Sequence, residues 1–445
     1  MKSYSSDKNH KSSKSVGKPR VLVISALPIT KSGSTRAYFT YLHKIPSSCV
    51  AQIYTNPTLP DNFEICENFY QITDKTVFKN NFKKHKQPGL KTSKTSTEQT
   101  RKNADSQDST LYRIGKKDFS IIDLFRSFFW KTKNYLTDDL KRFIDDFHPN
   151  LILYHNSCAL FMEKLALTIK SYLDIPMVID ISDDYYFDYY RSINPLTLIK
   201  RKLYRKRFER LMAISSDQFY VSQKMADKYN SHFKTSGKAI YISSSCFSNN
   251  THTNIIKKTD SKVQFGYFGN LGLGRDKELL RFCKYLKSSG IDYSLDVYTP
   301  KLGNTTESRT FKKMFNVMGS LPYEETIRLY KKYDFLIFVE SKKKKMINRT
   351  RYCLSTKVGD YLSSGVPVVA IGSPDSGSIG FFIQNKCAFV LGDSLNFENL
   401  YNEAKIIELL NNANLARSSF FDSEKNSSEC FNILLNTINY ENSSN

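Results

Sequence analysis

Four absences narrow the reading of this 445-residue sequence. No stretch approaches the ~18 consecutive apolar residues that read as a membrane span, and the first 18 residues, MKSYSSDKNHKSSKSVGK, lack the apolar core of a secretory signal. The chain is therefore expected in the cytoplasm, or peripheral on the inner face of the cell membrane. The eight cysteines never fall as C-x-x-C, which argues against zinc knuckles and redox dithiols and leaves them reduced and mostly buried. Neither a G-x-x-x-x-G-K-[ST] loop nor a G-x-G-x-x-G turn occurs, which demotes ATPases, kinases and dehydrogenases. Acid is scarce too: 43 Asp and Glu stand against 66 Lys and Arg, a formal charge of +23. Attraction to phosphate somewhere follows from that excess.

What is present is an ordinary globular composition, 40% hydrophobic, long enough at roughly 150 residues per domain for two or three domains. Arg20 to Ala26, RVLVISA, is a continuous β-branched run of the kind a parallel strand shows when both faces are covered. The turn LPITKSGS follows, with Gly33, and then an amphipathic stripe of Tyr38, Tyr41, Leu42 and Ile45. Strands are read again at Leu151–Tyr154, Pro176–Ile181, Phe219–Ser222 and Ala239–Ile242, with a helix stripe at Phe161, Leu165, Ile169 and Leu173. After a polar stretch, SSSCFSNNTHTNIIKKTDSK, the pattern restarts at VQFGYFG and the turn Asn270 to Arg275. It continues through Leu295–Tyr298, Phe335–Val339 and Val366–Ile371. Alternating strands and helices, begun twice, predict two doubly wound α/β halves. Late helices are expected over Phe397–Leu410 and near Cys430–Ile438.

One region interrupts the first half. Residues 81–117 carry ten Lys and Arg against three Asp and Glu and read as a mobile surface insertion. FSIIDLFRSFFWKTKNYL comes directly after, with the sole tryptophan, Trp130, and then a helix with Leu136, Leu140, Phe143, Ile144 and Phe147 on one face. Two readings stand open for it: a helix packed on the sheet, or an aromatic and basic surface resting on anionic lipid.

Where a parallel strand meets a helix, backbone N–H groups and the helix dipole favour an anion, and glycine lets it come close. Gly33 and the Gly269–Gly274 loop, with Asn270, occupy such junctions, and Arg275 follows where a guanidinium can grip a diphosphate. The stretch LSTKVGDYLSSGVPVVAIG, Leu354 to Gly372, reads as a short helix capped by Ser355, ended by Gly365 and followed by a buried strand. Lys357 and Asp360 sit one turn apart on it: a cation for phosphate and a carboxylate for sugar or ribose hydroxyls, or else a simple i,i+3 ion pair. Asp183, flanked by Asp180 and Asp184 at a strand end, is the candidate proton acceptor, and His155 the second titratable candidate. No metal site is read.

STKVGDYLSSGVPVVAIG resembles the signature of GT-B-fold glycosyltransferases, family 4-like, with its TK-x-x-D/E-Y-L-x-x-G-x-P-V pattern. VLVISALPITKSGSTR, MVIDISDD, FGYFGNLGLGR and MGSLPYEETIRLYKKYDFLIF resemble other family segments in the same order. The resemblance implies two Rossmann-like doubly wound domains facing a cleft. It divides the chain into a tail over 1–19, an acceptor domain over 20–245, a linker over 246–262, a sugar-nucleotide domain over 263–420, and a closing helix and tail over 421–445 that usually crosses back. It implies that Gly33, Gly269, Asn270, Arg275, Leu321, Ser355, Thr356, Lys357 and Asp360 meet the donor, and that no cofactor or metal is needed beside a nucleoside-diphosphate sugar. The implied reaction is retaining transfer of a sugar to a glycan or polyprenyl-linked acceptor, in capsule, lipopolysaccharide or other surface-polysaccharide synthesis, with an anionic membrane surface as a further partner. The family's first glutamate falls on Tyr352, its usual histidine on Ser182, and KKKKMINRTR is an added run. A scaffold of the same fold without turnover is therefore the alternative. Nucleic acid is not expected as a partner, because no RNA-binding sheet motif, helix-turn-helix or zinc module is present.

Overall fold

The computed structural model describes residues 18–31, 33–93, 120–187, 194–242, 262–300, 313–391 and 402–444. The tail up to residue 17, residues 94–117 of the basic segment and the linker over 246–261 lie outside them.

Two sheets are built, as the restart of the strand pattern predicts. The first contains β1 (Val21–Ser25), β2 (Val50–Tyr54), β3 (Asn68–Gln71), β4 (Leu90–Thr92), β5 (Leu151–His155), β6 (Met177–Ile181), β7 (Asp217–Tyr220) and β8 (Lys238–Ala239). Its order is β4-β3-β2-β1-β5-β6-β7-β8. Every neighbour pair is parallel except β3 with β4. The second contains β9 (Val263–Phe268), β10 (Tyr293–Tyr298), β11 (Asn316–Gly319), β12 (Phe335–Val339), β13 (Val368–Ile371) and β14 (Phe389–Leu391), in the order β11-β10-β9-β12-β13-β14 and parallel throughout. The chain thus has the α/β, two-domain, doubly wound Rossmann-like architecture. In each sheet the winding reverses, between β1 and β5 and again between β9 and β12. Ligands of such sheets bind beyond the carboxyl ends of the strands at that reversal.

The central strands are buried on both faces, which is why they read as unbroken apolar runs: VLVIS of β1 and FLIFV of β12 are buried at every position. One hydrophobic cluster runs through both lobes and contains Tyr186 and Phe187 of the first and Leu354, Val358 and Tyr361 of the second. The last helix, Ser423–Ser444, returns to the first domain, where Cys430, Leu434 and Ile438 pack with Tyr38, Tyr41 and Leu42.

Several local readings are corrected. The helix expected to carry Leu136 with Leu140, Phe143, Ile144 and Phe147 starts only at Asp138 and runs to Phe147, leaving Leu136 behind the separate short helix Thr132–Tyr135, because the Thr137 side chain accepts from Leu140 N and caps a fresh start with Asp138 and Asp139 in its first turn. The stretch after 81 is partly ordered, since β4 adds antiparallel to β3. The added run KKKKMINRTR forms a helix over Lys344–Thr350. The late helices run longer and farther along than expected, Glu403–Phe420 and Ser423–Ser444. Trp130 is buried: its indole N–H donates to Asp74 at 2.8 Å and its ring stacks on Phe161 at 4.4 Å, so it is no part of a surface.

Candidate active site

At the reversal of the second sheet, β9 ends at Phe268 and the chain turns through Gly269 to Gly274 into the helix Arg275–Ser288. Gly269 (φ 148°) and Gly274 (φ 82°) hold positive φ values that side chains rarely tolerate. Asn270 shapes the turn itself, its side-chain oxygen accepting from Gly272 N at 2.7 Å. The space a Cβ on Gly269 would occupy belongs to the Lys357 ammonium, whose Nζ would lie 1.8 Å from it. Glycine is required there so that the lysine can lie across the backbone.

Lys357 opens the helix Lys357–Ser363, which buries Val358, Tyr361 and Leu362 as its inner face. Ser355 does not cap this helix through its side chain. Thr356 takes the N-cap position with helical backbone angles, and Val358 N bonds to Ser355 O at 3.0 Å. The Lys357 ammonium is pushed down to about 8 by burial first, then by the charges of Arg275 and Arg36, against the opposing pull of Asp360. Lys357 thus lies beside the Gly269 backbone, within electrostatic reach of Arg275 and Arg36. Glu340, buried at the end of β12, is held above the usual carboxylate range by burial, in spite of hydrogen bonds from Ser376 and Ser378 and the charge of Arg275.

Arg36 is the residue the sequence reading missed. It ends the turn Gly33–Arg36 of the first domain and crosses to the second. There its two terminal nitrogens donate to the Asp360 carboxylate at 3.0 and 2.9 Å, with side-chain exposures of 12% and 3%. Tyr323 completes the group, its hydroxyl donating to Asp360 at 2.7 Å while the guanidinium lies 3.8 Å over its ring. Gly33 thus belongs to the first domain's side of the cleft. Leu321 packs into the core two residues before Tyr323.

Two residues past Arg36, on the following helix Ala37–Leu42, Tyr38 lies against His155, ring centroids 6.1 Å apart. His155 ends β5, and the parallel register sets it opposite Asp180 of β6. His155 Nδ1 and Asp180 Oδ2 are 2.5 Å apart, and the other Asp180 oxygen accepts from Tyr41 and Ser182, each at 3.0 Å. Burial pulls the imidazole down, but the charge and hydrogen bond of Asp180, with the charge of Asp183 behind them, outweigh it and raise His155 above its ordinary value. With Nδ1 tied to Asp180, Nε2 is left to meet a proton donor. Asp183 is exposed and accepts from Tyr185 at 2.8 Å. Asp184 is buried, accepting from Phe187 N and Tyr229.

The structure therefore brings together Gly269, Arg275, Lys357 and Asp360, and on the facing lobe His155 with Asp180, joined by one helical segment that carries both Arg36 and Tyr38. No protein-family description matches the sequence, and no curated protein matches it. Solved structures do resemble the fold. Sucrose-phosphate synthase from Thermosynechococcus elongatus superposes with a TM-score of 0.56 at 9% identity, over 94% of this chain and 98% of its own. The α,α-trehalose-phosphate synthase from Burkholderia xenovorans, in complex with glucose-6-phosphate, gives 0.54 at 8% identity, over 94% and 100%. An E. coli trehalose-6-phosphate structure bound with UDP-2-fluoro glucose gives 0.50 at 8% identity, over 95% and 96%. The chain has the GT-B fold of these proteins.

Proposed function

We propose that this GT-B-fold chain is a glycosyltransferase that takes a sugar from a nucleoside-diphosphate donor held in the second domain. The observation that carries the reading is the Lys357 ammonium lying across a backbone stripped of Cβ at Gly269, at the sheet reversal where ligands of such sheets bind, with Arg275 opening the helix after the turn and Arg36 bound to Asp360 one turn on from the lysine. A diphosphate leaving group gains negative charge as the bond to the anomeric carbon breaks, and preorganised cations there stabilise it without a metal. Asp360 fixes Arg36 beside the lysine. On the first domain the acceptor hydroxyl meets His155 Nε2, which takes its proton while Asp180 holds the ring. The oxygen then bonds to the anomeric carbon and the nucleoside diphosphate departs.

The resemblance of the 355–372 stretch implies a hexosyl donor and retention at the anomeric carbon. The His155–Asp180 pair favours a second reading, inversion, because a positioned base is what a direct displacement uses. Proton NMR of the first-formed product separates them by its anomeric coupling. For the acceptor we propose a glycan or polyprenyl-linked oligosaccharide presented at an anionic membrane surface, in surface-polysaccharide assembly, with the enzyme cytoplasmic or peripheral on that membrane.

Thermal melting with a panel of UDP-, GDP- and CMP-sugars tests the donor reading. One nucleotide sugar should raise the melting temperature of the wild-type protein and not that of Lys357→Ala, whose own melting stays close to wild type. A panel without any shift, or an equal shift in the variant, counts against it. Donor binding without turnover would leave the scaffold alternative standing.

A further inference from the structure

We infer that the first domain docks on an anionic lipid bilayer through an apolar face beside the cleft, built by three helices, with the buried Trp130 at the floor of its groove. The helix Ser120–Phe129 turns Ile121, Phe125 and Phe128 outward at the i, i+4, i+7 positions of a single stripe, with Phe125 59% and Phe128 64% exposed. The helix Asp74–Phe82 adds Phe78 and Phe82, the latter 74% exposed. Ring centroids 5.2 Å apart for Phe78 and Phe129, and 4.5 Å for Phe125 and Phe129, join the two helices into one surface around a groove of about 610 Å³. The third helix, Pro195–Ile214, brings exposed Leu198 and Ile199, tied in by the hydroxyls of Ser120 and Thr197 at 2.8 Å and by Lys200 with Asp123 at 2.9 Å. Monomeric proteins rarely leave so much contiguous aromatic surface in water.

Charge decides the occupant. Between residues 74 and 86 there are five lysines and one acid, Asp74, which is paired with Arg126 and the Trp130 indole, and between 120 and 133 the one acid is Asp123, which is buried. Lys79 lines the groove, Lys83, Lys84 and Lys133 are exposed on the same two segments, and the Lys131 ammonium stands 4.8 Å over Phe128. Aromatic rings with lysines interleaved suit acyl chains below a layer of phosphate headgroups. Position fits as well. Helices start at the carboxyl edge of a parallel sheet, so Asp74–Phe82, following β3, and Leu160–Leu173, following β5, begin on the cleft side. Leu160 N lies 3.5 Å from Asp123, and Trp130 stacks on Phe161. The apolar face therefore borders the edge that carries His155, where a lipid-linked acceptor would arrive. That last step rests on the proposed transferase reading; the docking itself does not.

Flotation of the full chain tests it, with vesicles of phosphatidylcholine alone and with added phosphatidylglycerol, at low and high salt. Binding is expected to the anionic vesicles, weakened by salt. Phe125→Ser with Phe128→Ser should lower the partition coefficient by about a hundredfold, from the loss of two exposed rings, and Lys83→Glu with Lys84→Glu should abolish the preference for phosphatidylglycerol. Equal binding by these variants and wild type, or no binding to either vesicle, overturns the inference. So does a wild-type dimer in sedimentation velocity that Phe125→Ser with Phe128→Ser makes monomeric, since the face would then join two copies. Nucleotide-sugar thermal shifts without vesicles should be the same in wild type and both double variants, so a failure of docking and a failure of the donor reading are told apart.

Discussion

A proton on Lys357 should govern donor affinity across the physiological range. Its ammonium sits at about 8 because burial, Arg275 and Arg36 oppose the charge, whereas an unperturbed lysine titrates near ~10.4. A diphosphate brings negative charge beside it and restores the proton, so only the protonated fraction of the free protein is competent to bind. The apparent dissociation constant then scales as the inverse of that fraction, rising by about 1.1-fold at pH 7, about 2-fold at pH 8 and about 11-fold at pH 9 over the low-pH plateau. The sign for the free protein is opposite to the usual one: a base whose folded value is depressed destabilises while charged. The fold therefore gains stability as pH rises from about 8 towards ~10.4. Calorimetric titration with the stabilising nucleotide sugar, in two buffers of different ionisation enthalpy, reads both the slope and the proton uptake. Lys357→Arg should bind without the slope, and Lys357→Met should bind weakly without it. A wild-type affinity that is flat from pH 7 to 9, or a slope that persists in Lys357→Met, refutes the reasoning.

Further outcomes follow from the Arg36–Asp360 pair across the cleft and the His155–Asp180 pair within the first domain. Arg36→Met should cost about 2 kcal/mol in urea unfolding, less than the ~3–5 of an isolated buried pair, because Tyr323 still donates to Asp360. Adding Asp360→Asn should then recover part of the loss, whereas purely additive losses would show that the pair is not coupled. His155→Ala should lower turnover by ~10²–10⁴-fold. Asp180→Asn should move the acid limb of the rate profile down in pH as well as lowering the rate, since Asp180 is what raises His155; an unmoved limb would remove that histidine from the reaction. The stability that His155 contributes is complete below ~6.5 and fades as pH climbs through its raised folded value.

Much of the second domain was legible because parallel strands buried on both faces leave unbroken apolar runs, and its order of motifs follows the chain. Gly269 could be placed in advance because it lies at a strand–helix junction, and Lys357 and Asp360 because they sit one turn apart on one short helix; that the lysine lies across Gly269 appears only in the folded domain. Arg36 could not, because its partner Asp360 is 324 residues away and the contact exists only once two lobes face each other. A guanidinium just past a glycine turn was the available sign. His155 with Asp180 was within reach: LILYH and MVIDI are neighbouring parallel strands, and their register sets the two side by side. Weight went instead to Asp183, whose neighbours in sequence turn out to point elsewhere. Thr137 shows the local failure, where a cap signal inside an apolar stripe was overridden by periodicity.

The most direct measurement is a crystal structure with the nucleotide sugar that stabilises the protein. The diphosphate should lie over Gly269, within hydrogen-bonding distance of the Lys357 ammonium and the Arg275 guanidinium, with the anomeric carbon turned towards His155. A nucleotide bound elsewhere, or a diphosphate touching neither cation, would contradict the donor reading.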